Sequence, residues 1–259
     1  MTSLVAYGVT CEVDGEGPAI VFVHGLGGTS NSFQPLLRAA EGWRCIRPDL
    51  PGAGRSPAPY ETISLDGLVK SLAGLLRLLG GAPALLVGHS MGGVICQHLA
   101  VRAPELVRGL LLYGPVREPS DEARVRLRER AAAARTQGMQ AVADAVCAAT
   151  LSSHTLAHNP AAAAFVRESH MRQEAEGFAQ SCEALAGARG ADLAALRAPA
   201  HIVTGEDDPV CPPSEARLIG GRIRGAKVTI LNRCGHWPML ERPAESTAAL
   251  KEVLSAAAV

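Results

Sequence analysis

Six short apolar runs recur along the chain, and longer segments with helical periodicity separate them. The runs are apolar throughout rather than alternating, which is typical of strands buried on both faces of a parallel sheet. They are residues 19–24, 44–47, 84–88, 109–113, 201–204 and 227–231. Helical patterns cover residues 65–79, 91–103 and 243–254. This alternation predicts an α/β fold with a mostly parallel, doubly wound sheet.

One long segment breaks this rhythm. Residues 115–196 are rich in Ala, Arg and Glu, contain no convincing strand pattern, and indicate three or four helices. Turn residues flank the segment on both sides. We therefore predict that residues 1–114 and 197–259 form the core of the fold. Residues 115–196 would be a helical cap inserted between two strands of the sheet.

Composition argues against several classes of function. The 259 residues include 25 basic and 25 acidic side chains, and only 3% are aromatic, so we expect no nucleic-acid partner. No apolar run reaches the length of a membrane span, and the N-terminal residues lack the pattern of a secretory signal. The seven cysteines are scattered without a CxxC pair, which argues against a disulfide framework or a zinc site. We expect a cytoplasmic protein without a membrane partner.

The sequence GHSMGG at residues 88–93 places Ser90 between glycines, after one apolar run and before a helical pattern. A serine at a helix start is often only an N-cap. However, the spacing G-x-S-x-G in a strand–turn–helix context is the arrangement that exposes a nucleophilic serine above a sheet. Ser90 is therefore a candidate nucleophile.

A second glycine-rich turn, HGLGG at residues 24–28, follows the first apolar run. Backbone N–H groups in such a turn can stabilise the oxyanion that forms when a serine attacks a carbonyl. We assign the two donors to the N–H groups of Leu26 and Met91. We expect His24 and His89, which flank these turns, to support packing rather than to take part in the chemistry.

The last two apolar runs are each followed by a candidate catalytic side chain. Asp207 and Asp208 follow the run at 201–204, and His236 follows the run at 227–231. The carboxyl ends of parallel strands lie at one edge of a sheet, where α/β sites assemble. The resulting order Ser…Asp…His is that of serine hydrolases built on an α/β sheet.

The chain resembles the α/β-hydrolase fold superfamily over essentially its full length. Four segments carry the resemblance: HGLGG (24–28), DLPGAGRS (49–56), GHSMGG (88–93), and GEDDPVCP with GHWP (205–212 and 235–238). The family pattern G-x-x-D-x-x-x-P selects Asp208 over its rival Asp207. The resemblance implies that Ser90 attacks, His236 accepts its proton, and Asp208 orients the imidazole, without a cofactor or metal. It also assigns Asp49 and Arg55 to a structural loop.

The resemblance also suggests a substrate class. Residues 134–146 and 181–185 are similar to the cap of 3-oxoadipate enol-lactonases, and Arg135 or Arg172 would then bind the substrate carboxylate. The expected partner is a small-molecule ester or lactone, and enol-lactone hydrolysis is the favoured reaction. The sequence is also compatible with a homo-oligomer. Hydrolysis of a C–C bond and perhydrolysis are the alternative enzyme activities, because the enzymes that catalyse them use the same triad. A small-ligand receptor with a hydrolase fold is the alternative outside enzymes.

Overall fold

The computed structural model describes residues 2–6 and 8–257, and its centre is one eight-stranded sheet. The strands are β1 (Thr2–Ala6), β2 (Val9–Asp14), β3 (Ala19–Val23), β4 (Arg44–Asp49), β5 (Ala84–His89), β6 (Val107–Tyr113), β7 (Ala200–Gly205) and β8 (Lys227–Leu231). Their order across the sheet is β1-β2-β4-β3-β5-β6-β7-β8. Strands β3 to β8 pair in parallel, while β2 pairs antiparallel with β1 and β4. The predicted mostly parallel α/β sheet is confirmed.

The sheet is buried on both faces, as the continuous apolar runs predict. Neighbouring residues of a strand point to opposite faces. In β3, Val21 and Val23 join one hydrophobic cluster, whereas Ile20 and Phe22 join the other. The same division separates Leu110 and Leu112 from Leu111 in β6. Helices therefore have to cover both faces.

The helices fill the connections between strands. They are α1 (Leu65–Leu78), α2 (Met91–Arg102), α3 (Asp121–Gln137), α4 (Met139–Thr150), α5 (Ser153–His158), α6 (Pro160–Met171), α7 (Ala175–Ala186), α8 (Pro213–Arg222), α9 (Pro238–Glu241) and α10 (Pro243–Ala257). Helix α1 begins where the sequence predicts it, because the Ser64 hydroxyl accepts a hydrogen bond from the N–H of Gly67. Within the described residues, no helix combines the length and apolar character that crossing a bilayer demands.

Five helices, α3 to α7, lie between β6 and β7, where three or four were predicted. The additional helix is the six-residue α5, which is too short to give a periodic pattern. Helix α6 begins with Pro160 after the N-cap Asn159. We refer to residues 115–196 as the helical insertion.

The order of the strands determines where a site can form. The chain passes from β3 to β4 on one side, and β5 then pairs with the other side of β3. Connections from β3 and β5 therefore leave in opposite directions, which opens a crevice at the carboxyl ends of these strands. The HGLGG turn and Ser90 both stand at this crevice.

Candidate active site

Ser90 occupies a tight turn between β5 and α2. Its φ angle is 52°, in the left-handed region that non-glycine residues rarely adopt, and strain of this kind clusters at functional sites. Close backbone packing maintains the turn: a Cβ on Gly92 would lie 2.1 Å from the carbonyl oxygen of Val23. A Cβ on Gly88 would lie 2.8 Å from the Cα of Gly93. The two glycines of G-x-S-x-G are therefore required sterically.

The Ser90 side chain does not cap the helix that follows it. Its hydroxyl makes no capping hydrogen bond, although Ser90 precedes the first residue of α2. Its backbone N–H donates instead to the carbonyl of Tyr113 at 3.0 Å, which ties the turn to the end of β6. Ser90 therefore stands at the N-cap position of α2 without side-chain capping, and its hydroxyl remains available for another purpose.

The backbone N–H groups of Leu26 and Met91 are both free. Neither donates a hydrogen bond to any described residue. The Leu26 turn packs directly on the serine, because a Cβ on Gly25 would lie 2.8 Å from Ser90 Cβ. Unpaired N–H groups beside a serine hydroxyl match the requirement of an oxyanion hole.

Asp208 and His236 form a buried pair. His236 Nδ1 lies 2.9 Å and 3.0 Å from the two carboxylate oxygens of Asp208. The same carboxylate accepts hydrogen bonds from the N–H groups of Val210 and Cys211 and from the Thr204 hydroxyl. Burial acts to raise the pKa of Asp208, but the adjacent His236 and these hydrogen bonds hold it below the ordinary value. Asp208 is therefore an anion that orients the imidazole.

Asp207 has a different environment from Asp208. Its side chain is exposed, and its backbone N–H donates to the carbonyl of Cys234 at 2.9 Å. Asp207 makes no hydrogen bond to His236 among the described residues. Of the two aspartates, Asp208 is therefore the one in contact with the imidazole.

Two contacts connect the His236–Asp208 pair to the serine turn. A Cβ on Gly114 would lie 2.9 Å from His236 Nδ1, and Gly114 directly follows the Tyr113 carbonyl that accepts the Ser90 N–H. In addition, His89 Nε2 donates to the carbonyl of His236 at 2.8 Å. The described residues show no direct hydrogen bond between the Ser90 hydroxyl and His236. In enzymes without substrate this bond is often long.

His24 and His89 support the two turns, as the sequence indicates. His24 Nδ1 donates to the Gly25 carbonyl, and His24 Nε2 accepts the N–H of Leu50 at 2.9 Å. Burial lowers the pKa of His24, and burial together with His236 lowers that of His89 to about 3. Both rings are therefore neutral at pH 7.

The other residues considered from the sequence make contacts that indicate a structural role. Asp49 accepts hydrogen bonds from the Ser30 N–H and from Arg55, which fixes the loop after β4. His154 and His158 stack on each other, and the described residues contain no group of three or more potential metal ligands. The Cys211 and Cys234 thiols are buried, and burial raises the pKa of each.

The structure argues against the predicted carboxylate anchor at Arg135, and the one at Arg172 stays a prediction. Arg135 lies on α3 and forms ion pairs with Glu176 and Glu183 of α7. Arg172 caps the end of α6 and is exposed. Arg135 is therefore already neutralised by two carboxylates and is not free to bind a substrate anion.

No sequence pattern indicated the group of insertion residues that hold the HGLGG turn. The Ser169 hydroxyl donates to the Gly27 carbonyl at 2.6 Å, and the Gln173 amide donates to the same carbonyl at 3.3 Å. The His170 ring covers Gly27, where a Cβ would lie 2.1 Å from the ring. Burial lowers the pKa of His170 to about 4. These contacts join residues more than a hundred positions apart, so no local pattern encodes them.

Comparison with known proteins agrees with this arrangement. Residues 20–250 match the model of the alpha/beta hydrolase family. The chain belongs to this family. A thermophilic esterase from Thermogutta terrifontis superposes with a TM-score of 0.91 at 26% identity, covering 96% of this chain and 93% of the esterase. The enol-lactonase from Burkholderia xenovorans LB400 superposes with a TM-score of 0.90 at 27% identity, covering 98% and 100%.

A shorter match relates this hydrolase to a lipase. The mouse sn-1-specific diacylglycerol lipase ABHD11 is 41% identical over 109 residues, which is 39% of this chain and 34% of the lipase. The relatives thus include esterase, lactonase and lipase names, and all of these are hydrolases. The chain is accordingly a hydrolase-fold protein with relatives named for the cleavage of ester bonds.

Proposed function

We propose that this hydrolase cleaves a carboxylic ester or lactone through an acyl-enzyme on Ser90. The observation that carries the proposal is the buried hydrogen-bonded pair of His236 and Asp208 at the sheet edge where Ser90 stands in its strained turn. A neutral serine hydroxyl is a weak nucleophile, so it needs a base that takes its proton during attack. His236 supplies that base, and anionic Asp208 stabilises the imidazolium that forms.

In the proposed mechanism the Ser90 oxygen bonds the carbonyl carbon of the substrate, and the carbonyl oxygen becomes an oxyanion. The free N–H groups of Leu26 and Met91 stabilise this charge, and one such donor is worth about 3 kcal/mol of barrier. His236 then returns the proton to the leaving oxygen as its bond to the carbonyl carbon breaks and the acyl-enzyme remains; the alcohol departs from an ester, whereas in a lactone it stays attached to the acyl chain. Water attacks the acyl-enzyme with His236 again as base, which frees the acid and restores Ser90.

Within this class, lactone opening is supported by the full-length likeness to an enol-lactonase. The enol-lactonases suggested by the cap sequence require recognition of a carboxylate, and Arg135 does not offer it because it is paired with glutamates. We therefore propose uncharged esters and lactones as the first substrates to test. A carboxylated enol-lactone belongs in the same panel.

The decisive variant is Ser90→Ala. We expect kcat on p-nitrophenyl acetate and on the best lactone to fall by about 10³-fold or more, while substrate still binds. Steady-state kinetics together with mass detection of the acyl-enzyme on the wild-type protein would measure this. Undiminished turnover by the variant would remove Ser90 from the mechanism. Absence of turnover by the wild-type protein on every ester and lactone would favour the receptor alternative.

A further inference from the structure

Glu241 is a buried carboxylate whose contacts converge on the loop that carries His236. It ends α9, five residues after His236, and is only 5% exposed. Its Oε1 accepts the backbone N–H of Trp237 at 3.0 Å, and its Oε2 accepts that of Gly235 at 2.9 Å. The backbone N–H groups of the two residues that flank His236 are therefore both bound to one carboxylate.

The same carboxylate reaches the helical insertion. Glu241 Oε2 also accepts the backbone N–H of Ser152 at 2.9 Å, in the connection between α4 and α5. No Lys, Arg or His side chain forms an ion pair with Glu241 in the part of the chain that the structure describes. A buried carboxylate is costly unless it is hydrogen bonded, and hydrogen bonds to an ionised acceptor are the strong ones. The three N–H donors thus account for its burial.

The insertion also binds the same loop directly. The Thr150 carbonyl accepts the backbone N–H of His236 at 2.8 Å, and the Thr150 hydroxyl accepts the indole N–H of Trp237 at 3.1 Å. The Ser152 hydroxyl donates to the carbonyl of Arg233. Three successive residues, 235 to 237, therefore have their N–H groups fixed by Glu241 and the insertion.

Gly235 permits this close approach. A Cβ at this position would lie 2.4 Å from the Thr150 carbonyl oxygen, 2.7 Å from the Ser152 nitrogen and 3.0 Å from Glu241 Oε1. Any side chain would separate the loop from its three hydrogen-bond partners. The glycine before His236 is therefore explained by the contact with Glu241 and the insertion, not by the reaction itself.

We infer that Glu241 is a positioning residue, which holds the backbone of His236 so that the imidazole stays on Asp208 and is directed to Ser90. Its hydrogen bonds to this loop come from the backbone N–H groups of Gly235 and Trp237, so it acts through the backbone and not through the ring. The inference rests on the proposed function, because it assigns Glu241 a role in proton transfer by His236. It also makes Thr150 and Ser152 of the helical insertion part of the framework that positions His236.

The test is Glu241→Gln, which keeps the shape but replaces one acceptor oxygen with an N–H₂ group. At least one of the three N–H donors then loses its acceptor. We expect kcat on p-nitrophenyl acetate to fall by about 10- to 100-fold, since small misplacement of a catalytic group has effects of this size. KM should stay within about two-fold, because the substrate contacts are retained.

Two further measurements separate positioning from simple loss of structure. A fluorophosphonate forms a bond from Ser90 Oγ to phosphorus while fluoride leaves, and His236 takes the serine proton. The second-order rate of this labelling should fall as much as kcat. The low-field proton NMR signal of the His236–Asp208 hydrogen bond should broaden, while the melting temperature shows that the variant is folded.

The matched control is Glu118→Gln. Glu118 also accepts a backbone N–H, from Gly190 at 3.1 Å, but it does not touch the loop of His236. We expect kcat and labelling of this variant to equal the wild type. If Glu241→Gln is folded and labels at the wild-type rate, Glu241 has no positioning role.

If Glu241→Gln does not fold, Glu241→Asp is tested in the same assays. This variant keeps the carboxylate, but its shorter side chain moves the two oxygens away from the N–H donors by the length of one methylene. Slow labelling of folded Glu241→Asp supports the inference, and labelling at the wild-type rate overturns it. Failure of the proposed function is distinct from both, since it would appear as fluorophosphonate labelling of Ser90→Ala as fast as that of the wild type.

Discussion

At the scale of single residues, the candidate site depends on positions where no side chain can be accommodated. Gly92 lets the serine turn approach β3, and Gly235 lets the loop of His236 approach the insertion. Gly114 has a φ of 49° and lies against both His236 and Asp208. The candidate catalytic side chains are few, and close backbone packing determines their positions.

Gly114→Ala tests this dependence. The new Cβ would lie 2.9 Å from His236 Nδ1 and 3.0 Å from Asp208 Oδ2, so the pair has to move. We expect kcat to fall by about 10-fold or more, because orientation of the imidazole is lost. Gly225→Ala is the control, since Gly225 also has a positive φ but a Cβ there would meet no atom within 4 Å. Both variants should lose about 1 kcal/mol of stability, and only Gly114→Ala should lose activity.

At the scale of elements, the helical insertion contacts the catalytic loops in two places. Ser169 of α6 and Gln173, just after that helix, hold Gly27, and the end of α4 holds His236 through the Thr150 carbonyl. The insertion itself is held together by packing between α3 and α7, with Arg135 bridging these two helices at the surface. Its position therefore affects both the proposed oxyanion hole and the proposed base.

Arg135→Ala tests whether this arginine recognises substrate or only joins α3 to α7. We expect kcat/KM on a carboxylated enol-lactone to stay within about two-fold of the wild type, and stability to fall by about 1 kcal/mol or less, as for exposed ion pairs. Arg172→Ala, which changes the exposed arginine after α6, is assayed in parallel. A ten-fold rise in KM for either variant, confined to the carboxylated substrate, would show that the substituted arginine binds the substrate carboxylate.

At the scale of the whole molecule, the three most deeply buried histidines are uncharged. His24, His89 and His170 are each at most 1% exposed, and burial lowers the pKa of all three, to about 3 for His89 and about 4 for His170. In the unfolded chain the same side chains take up protons near pH 6.5. At pH values between the lowered pKa values of the folded state and 6.5, the unfolded state binds more protons than the folded state. Stability is therefore lost as the pH falls through this range.

We therefore expect the free energy of unfolding to decline as the pH drops from about 6.5 to 4.5, by about 1.4 kcal/mol per pH unit for each of His89 and His170, with His24 contributing in the same direction. Urea unfolding at a series of pH values measures this slope. His170→Gln should reduce the slope, whereas His158→Gln, at an exposed position, should leave it unchanged. An equal slope in all three proteins would mean that His170 is not buried as a neutral ring.

Local patterns account for much of this architecture. The six apolar runs predicted β3 to β8, and Ser64, Pro104 and Pro243 mark helix ends that the structure contains. Strands β1 and β2 were not predicted, because β1 is largely exposed and the pair is stabilised by hydrogen bonding to its neighbours. The contacts of Glu241 and Thr150 could not be predicted either, since they depend on how distant segments meet. Motifs located the candidate catalytic side chains but not the contacts that orient them.

The hydrogen bonds from Thr150 and Ser169 have a consequence for how such a protein diverges. The sheet does not depend on the insertion for its register, because β6 and β7 pair directly and Gly114 donates to the Val203 carbonyl at 2.8 Å. We therefore expect a grafted insertion from a relative to leave the register of β6 and β7 unchanged. The grafted protein would retain activity only if the new insertion also offered an acceptor to the His236 N–H and a donor to the Gly27 carbonyl. A change of substrate specificity and the retention of turnover are therefore selected together.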